Sequence, residues 1–224
     1  MMDYLHTVWV IFKKDLTTEQ RSREVISSML LFALISIIIL IFSFELAANM
    51  RQEAFAGTLW VALCFAGTLG LNRLMSLERE NQSLDALLLA PVDRTALFFG
   101  KALANWIFTL LLALILIPVA GFFYTINPFK WGLIGVVLLG TLGYSLSGTL
   151  ISAITSKLSN RELYLQLLLF PVVITLLLAV IRATNVLLNG ETTAELGTWI
   201  SMLGGYDLLF LAVGILLFDQ VVAD

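Results

Sequence analysis

Six long apolar segments dominate this chain and restrict what it can fold into. Each has about the 20 residues that an α-helix needs to cross a hydrocarbon core of roughly 30 Å. Of the 224 residues, 59% are hydrophobic and only 13% are charged, whereas in soluble domains about a quarter of all residues are charged. The sequence therefore predicts an all-α integral membrane protein with one domain of six transmembrane helices. The predicted spans are residues 25–46, 54–77, 102–124, 132–156, 164–184 and 200–222.

The distribution of Lys and Arg predicts the orientation. If six spans alternate through the membrane, ten of the thirteen basic residues fall on one side. Basic residues collect on the cytoplasmic side of membrane proteins, so both termini are predicted to be cytoplasmic. The net charge of −3 gives no indication of a nucleic-acid partner. The ten residues are Lys13, Lys14, Arg21, Arg23, Arg73, Arg79, Arg94, Lys101, Lys157 and Arg161, and the other three are Arg51, Lys130 and Arg182.

Residues 1–24 are too polar to span the membrane, and they lack the pattern of a cleaved signal peptide. Apolar residues recur there at helical spacing, from Tyr4 and Leu5 through Val8 to Leu16. We expect an amphipathic elbow helix in the plane of the cytoplasmic interface, where aromatic and basic side chains are favoured. A helix that docks on the soluble side is the alternative. The elbow residues are Trp9, Phe12, Lys13, Lys14, Arg21 and Arg23.

A cytoplasmic loop, residues 78–97, joins the second and third predicted spans. Within it, Leu84, Leu87 and Leu88 form one apolar stripe, and Pro91 ends the short helix. An amphipathic helix of this kind can insert its apolar face into a groove on a cytoplasmic partner. The alternative is a helix that lies on the lipid surface. The predicted coupling residues are Glu78, Arg79, Glu80, Leu84, Asp85, Leu87, Leu88, Pro91 and Arg94.

Residues for catalysis or metal binding are scarce. Asp207 is the only acid well within a predicted span, about a third of the way in from the outer end. It is either a functional intramembrane acid or an outer-leaflet acid that reaches interfacial water or pairs with Arg182. His6 is the only histidine, so acid-base, metal and nucleophilic sites lack their minimum parts. Gly100-Lys101 lacks the remaining residues of a phosphate-binding loop.

Two further patterns concern helix geometry. Pro118 and Pro171 lie within predicted spans, where each removes a backbone hydrogen bond. We expect kinked helices, and a gating hinge is the alternative. Glycines recur along the fourth span, which predicts close helix contacts there. They are Gly132, Gly135, Gly140, Gly143 and Gly148.

The loop and the N-terminal segment together resemble a known family. The cytoplasmic motifs are similar to those of ABC-2-type exporter permeases. With the N-terminal segment and the second span, the chain resembles the CcmB family, the haem-exporter permeases of bacterial cytochrome c maturation. The motifs that carry the resemblance are Lys14-Asp15-Leu16, Glu19, Arg21, Arg23, Glu24, Leu59-Trp60-Val61-Ala62, Glu78-Arg79-Glu80, Leu84-Asp85-Ala86-Leu87-Leu88, Pro91, Arg94 and Gly100-Lys101.

The resemblance implies a non-catalytic permease subunit in the bacterial inner membrane. ATP would be bound by a cytoplasmic ATPase subunit, in a complex of two permeases and two ATPases. A haem-handling membrane protein, a small membrane subunit and a periplasmic haem chaperone would complete the assembly. ATP hydrolysis would drive haem export or release of the haem-loaded chaperone. No cofactor is expected on this chain, because a lone interfacial histidine is a poor axial haem ligand.

Two other functions remain compatible with the sequence. An ABC-2-type permease for another substrate, such as a lipid or a drug, would have the same fold. A membrane assembly scaffold that transports nothing would lack an ATPase partner. A membrane enzyme would require an acid or histidine constellation that the sequence does not contain.

Overall fold

The computed structural model describes residues 2–43, 50–80, 93–156, 158, 160–190 and 193–223, and this part of the chain contains seven α-helices. Six of them, α2 to α7, are long and apolar enough to cross a membrane. The prediction of an all-α protein with six spans is therefore confirmed. The helices are α1 (Met2–Ser22), α2 (Glu24–Ser43), α3 (Arg51–Glu80), α4 (Arg94–Tyr124), α5 (Trp131–Thr155), α6 (Arg161–Asn189) and α7 (Thr193–Ala223).

Helix α5 lies at the centre of the bundle and packs against α3, α4, α6 and α7. Four of its five predicted glycines allow these close approaches, but Gly135 does not, because a Cβ there would meet nothing within 4 Å. A Cβ added at Gly140 would collide with Trp60 of α3 and Val180 of α6, and one at Gly148 would collide with Leu71 of α3. Without side chains at such positions, helix backbones can approach closely and gain dispersion contacts that lipid does not provide.

The helices are longer than the apolar segments that predicted them. Helix α4 begins at Arg94, well before residue 102, because Asp93 caps its first turn. The interval of residues 185–199 between the fifth and sixth predicted spans is mostly helical, since α6 continues to Asn189 and α7 begins at Thr193. Gly190 follows α6 at φ +73°, a conformation that favours glycine. Hydropathy detects the part of a helix that is in lipid, whereas the polar turns beyond it continue the backbone hydrogen bonding.

Both internal prolines lie within helices that continue past them. Pro118 is in α4 and Pro171 is in α6, and both side chains are exposed on the bundle surface. A proline on the outer surface places its missing hydrogen bond away from the packed core. A gating hinge at either residue remains a prediction.

Candidate functional site

The basic side of the bundle is defined here as the end that carries Arg73, Arg94 and Arg161. Helix α1 lies at this end and packs along the first turns of α4. The predicted loop also joins α3 to α4 at this end. The basic side therefore contains the elbow helix and the two described ends of the predicted coupling loop, which are the last turn of α3 and the first turn of α4.

Contact between α1 and α4 depends on Gly100. A Cβ at this position would lie 2.7 Å from Cγ2 of Ile11 and 3.2 Å from the carbonyl oxygen of Val8. Val8 and Ile11 are both buried, so their side chains fill the surface that the glycine leaves open. Gly100 therefore allows α1 to pack on α4. It lies inside a helix, and not in a phosphate-binding loop.

A chain of hydrogen bonds joins the start of α1 to the cap of α4. The Asp93 carboxylate accepts from the backbone N–H of Thr95 at 2.9 Å and from its hydroxyl at 2.8 Å. The Thr95 hydroxyl proton is used in this way, so the Tyr4 hydroxyl, 3.1 Å from Thr95 Oγ1, is the donor to it. Asp93 and Thr95, which belong to the predicted loop of residues 78–97, are thereby connected to α1.

The junction between α1 and α2 is held by Glu19. Arg23 has a positive φ of 54° and turns the chain between the two helices. Just beyond it, the buried Glu19 carboxylate accepts from the backbone N–H groups of Val25 at 3.1 Å and Ile26 at 2.7 Å. The first N–H groups of a helix have no partners within it, so Glu19 satisfies two of those of α2 from a different helix.

Two polar contacts fix the end of α3 on the basic side. Arg73 forms an ion pair with Glu24 at the start of α2. Arg161, at the start of α6, donates to the backbone carbonyl of Asn72 at 2.9 Å. Helix α3 is thus tied to α2 and α6, and α4 is tied to α1, on the two sides of the segment that connects α3 with α4.

The structure describes only part of the predicted coupling set. Glu78, Arg79 and Glu80 form the last turn of α3, so the predicted loop begins inside a helix. Arg94 is the first residue of α4 and is half-buried. Their role in coupling remains a prediction. Leu84, Asp85, Leu87, Leu88 and Pro91 lie outside the described residues.

The elbow helix has a different apolar face from the one predicted. Val8 and Ile11 pack on α4, whereas Leu5 is 64% exposed and Trp9 is 59% exposed. The Trp9 ring lies against Phe12, with centroids 5.4 Å apart. Ile11 was missed in the sequence, although Tyr4, Val8 and Ile11 follow helical spacing. Trp9 is therefore exposed rather than packed on α4, and the interfacial elbow role of α1 remains a prediction.

The basic residues of the elbow form a shallow surface depression with two threonines. Lys13, Arg21 and Arg23 are exposed, and Lys14 is half-buried. Lys13, Lys14 and Arg21 line the depression itself. Contact of this charge with anionic lipid headgroups remains a prediction.

Asp207 lies deeper in the bundle than predicted. It is near the middle of α7, is 6% exposed, and packs against Gly143 at the centre of α5. Within the described part of the chain, neither carboxylate oxygen has a hydrogen-bond partner, and Arg182 is exposed. The structure therefore shows no pairing of Asp207 with Arg182 among the described residues, and a functional role for this acid remains a prediction. Because α7 starts at Thr193, the apolar window placed the acid too near the outer end.

Asn105 is a second buried polar residue at the same level, and it was missed in the sequence. Phe98 of α4 packs on Phe218 of α7 and against Gly214. The two helices are antiparallel. Asn105 follows Phe98 by about two turns and Asp207 precedes Gly214 by about two turns, so the two polar residues lie at the same level on facing sides. The Asn105 carboxamide is 2% exposed and has no hydrogen-bond partner among the described residues. Asn105 and Asp207 are therefore two of the buried polar side chains that have no hydrogen-bond partner among the described residues.

Metal-binding side chains are not grouped in the part of the chain that the structure describes. No three His, Cys, Asp or Glu residues come together there. His6 is exposed on α1, and Cys64 is buried in α3. These residues do not converge on a common point.

Comparison with known proteins agrees with this architecture. Residues 6–222 match the family model described as CcmB protein. The chain is 31% identical to "Heme exporter protein B" of Rhodobacter capsulatus over 169 residues, which cover 75% of this chain and 78% of the relative. It is 31% identical to the protein of that name from Paracoccus denitrificans, over 70% of this chain and 71% of the relative. The corresponding protein of Haemophilus influenzae is 28% identical over 87% of both chains.

Proposed function

The chain belongs to the CcmB protein family, and on this premise we propose that it is the permease subunit of an ATP-driven haem exporter for cytochrome c maturation. Its relatives carry the name heme exporter protein B. The family match over nearly the whole chain is the observation that carries the proposal. The complex would lie in the bacterial inner membrane, with both termini of this subunit in the cytoplasm.

The basic side would receive the movement of the ATPase. Residues 81–92 connect α3 with α4. Helix α3 contacts α2 and α6 through Arg73 and Asn72, and α4 contacts α1 through Thr95. A partner that binds this connection and changes shape with ATP would therefore move α3 together with α2 and α6, and α4 together with α1. Its energy would bias two arrangements of the bundle, and this chain would perform no bond chemistry. The second permease copy would complete a complex with two ATPases.

Haem would be held by other subunits. The only histidine of the chain, His6, is exposed on the elbow helix. Because this chain has no second histidine to ligate haem, its role would be to drive haem export or the release of a haem-loaded periplasmic chaperone. A haem-handling membrane protein and a small membrane subunit would accompany this chain. Substituting His6 by Ala should leave c-type cytochrome formation intact.

Purification from native membranes tests the class and the pathway together. We expect an ATPase subunit and haem-containing proteins to copurify with this chain. Deletion of its gene should abolish holo-cytochromes c while other membrane functions persist. Recovery without any ATPase would support a scaffold, and normal cytochromes after deletion would support a permease for another substrate.

A pair of substitutions tests the coupling segment. Leu87→Asp with Leu88→Asp places two charges on the predicted apolar stripe and should detach the ATPase while the permease stays in the membrane. Gln82→Asp is the matched control, because it adds charge to a polar position of the same segment. If the double variant still copurifies with the ATPase, the stripe does not form the docking surface.

A further inference from the structure

An open apolar groove with a volume of about 610 Å³ lies between α4 and α5 on the surface of the bundle. It extends from Pro118 and Lys130 at one end to Ile107 and Leu138 at the other. Near the second end, the indole N–H of Trp106 on α4 donates to Thr141 Oγ1 at 3.1 Å and to the Leu138 carbonyl at 3.3 Å, both on α5. This contact brings the two helices together, so the groove ends there.

Among the described residues, Lys130 is the only charged one that lines the groove. Its ammonium donates to the carbonyl oxygens of Leu187 at 2.7 Å and Leu188 at 3.0 Å, near the end of α6. An ammonium has three N–H donors, and these two bonds fix its position while they use only two. Among the described residues the third N–H has no acceptor, so this donor and the positive charge can bind an anion at the groove entrance.

Two aromatic residues mark the depth of this entrance. Phe129 is 76% exposed and Trp131 is 91% exposed, on either side of Lys130 in the chain. Tryptophan is favoured at the boundary between hydrocarbon and headgroups. The entrance therefore lies at headgroup level, and the groove runs from it into the hydrocarbon core.

The length of the groove distinguishes between occupants. From Ile107 to Pro118, α4 rises by about 16 Å, close to half of a hydrocarbon core of about 30 Å. One leaflet's acyl chain has this reach. A partner's transmembrane helix would need an apolar face over the full core, whereas this groove closes near its middle.

We propose that the groove binds one anionic phospholipid from the leaflet that faces Lys130. An acyl chain lies between α4 and α5, and the phosphate accepts a hydrogen bond from the Lys130 ammonium. The assignment is independent of the haem-export proposal, because the groove shares no residue with the basic side.

Native mass spectrometry of the purified protein tests this site. The protein is reconstituted in vesicles with equal amounts of palmitoyl-oleoyl phosphatidylglycerol and palmitoyl-oleoyl phosphatidylcholine, then extracted in mild detergent. We expect one retained lipid, with phosphatidylglycerol preferred about fivefold, the factor for one basic residue near an anionic headgroup. Lys130→Gln should remove the preference, and Lys130→Arg should keep it.

A second substitution tests the acyl-chain position. Leu114 lines the groove and is exposed, so Leu114→Trp fills the space without disturbing the core. It should reduce retention of both lipids, whereas Leu167→Trp, at an exposed position on α6, should not. Equal retention of the two lipids by the unsubstituted protein would overturn the proposal. So would unchanged retention by Leu114→Trp, or haem in place of lipid.

Discussion

The hydroxyl of Tyr4 in the first turn of α1 donates to the hydroxyl of Thr95 in the first turn of α4, with 3.1 Å between the oxygens. This is a direct polar link between the elbow helix and the helix that follows the predicted coupling loop. Its removal provides a small and specific perturbation of the basic side.

Tyr4→Phe should weaken coupling more than stability. The substitution removes one partly buried hydrogen bond, worth about 1 kcal/mol, and keeps the ring. We expect normal amounts of the complex, but fewer holo-cytochromes c per ATP hydrolysed. Tyr164→Phe, at an exposed position of α6, is the control. If Tyr4→Phe and Tyr164→Phe behave alike, the link to Thr95 does not transmit movement.

Gly100→Ala should separate α1 from α4. Its Cβ would come within 2.7 Å of Ile11, and overpacking of this kind costs about 1–3 kcal/mol. Gly57→Ala is the matched control, because a Cβ there meets nothing within 4 Å. Both variants gain the same helix propensity. The difference in free energy of unfolding, measured by SDS titration in mixed micelles, should therefore be the cost of the contact.

The Gly100→Ala result has a second readout. Trypsin should cleave more rapidly within α1 of Gly100→Ala than within α1 of Gly57→Ala, because a displaced helix is more accessible. Equal stability and equal cleavage would show that Ile11 adjusts to the added methyl group at no cost.

Glu19→Ala should destabilise the protein by about 1–2 kcal/mol, the usual cost of losing a helix cap. Two N–H groups at the start of α2 would lose their acceptor. Glu24→Gln should cost less than about 1 kcal/mol, because it breaks a partly exposed ion pair with Arg73. Thermal unfolding in detergent compares them. The opposite order would mean that the ion pair, rather than the cap, holds the α1–α2 junction.

Asp207→Leu should stabilise the bundle, because an unsatisfied buried polar group costs about 1–3 kcal/mol. Ser201→Leu, at an exposed position of the same helix, should change stability little. SDS titration gives the stability, and holo-cytochrome c content gives the function. A more stable protein without cytochrome formation would support a functional acid, whereas normal cytochromes would support a structural one. Loss of stability would reveal a partner for Asp207.

The sequence predicts the six spans well because a hydrocarbon core demands long apolar runs. It predicts their ends less well, because the turns outside the core obey capping rather than hydropathy. Arg94 begins α4 behind the Asp93 cap, and α6 continues beyond residue 184 to Asn189. The depth of Asp207 was misjudged for the same reason.

The site was harder to predict than the span pattern. Helical spacing identified α1 as amphipathic, but it could not show that Ile11 faces Gly100 while Trp9 faces outward. That choice depends on contacts between segments distant in the chain. Asn105 gave no signal at all, since one amide within an apolar run does not interrupt its hydropathy.

The central position of α5 has a consequence for biosynthesis. Synthesis proceeds from the N-terminus, so α2 and α3 can pair as soon as both are inserted, while α5 emerges only after four other helices. Until then, the surfaces of α3 and α4 that later contact α5 are exposed to lipid or are covered by another protein. Polypeptides truncated before residue 131 should therefore be the ones most readily degraded by membrane proteases.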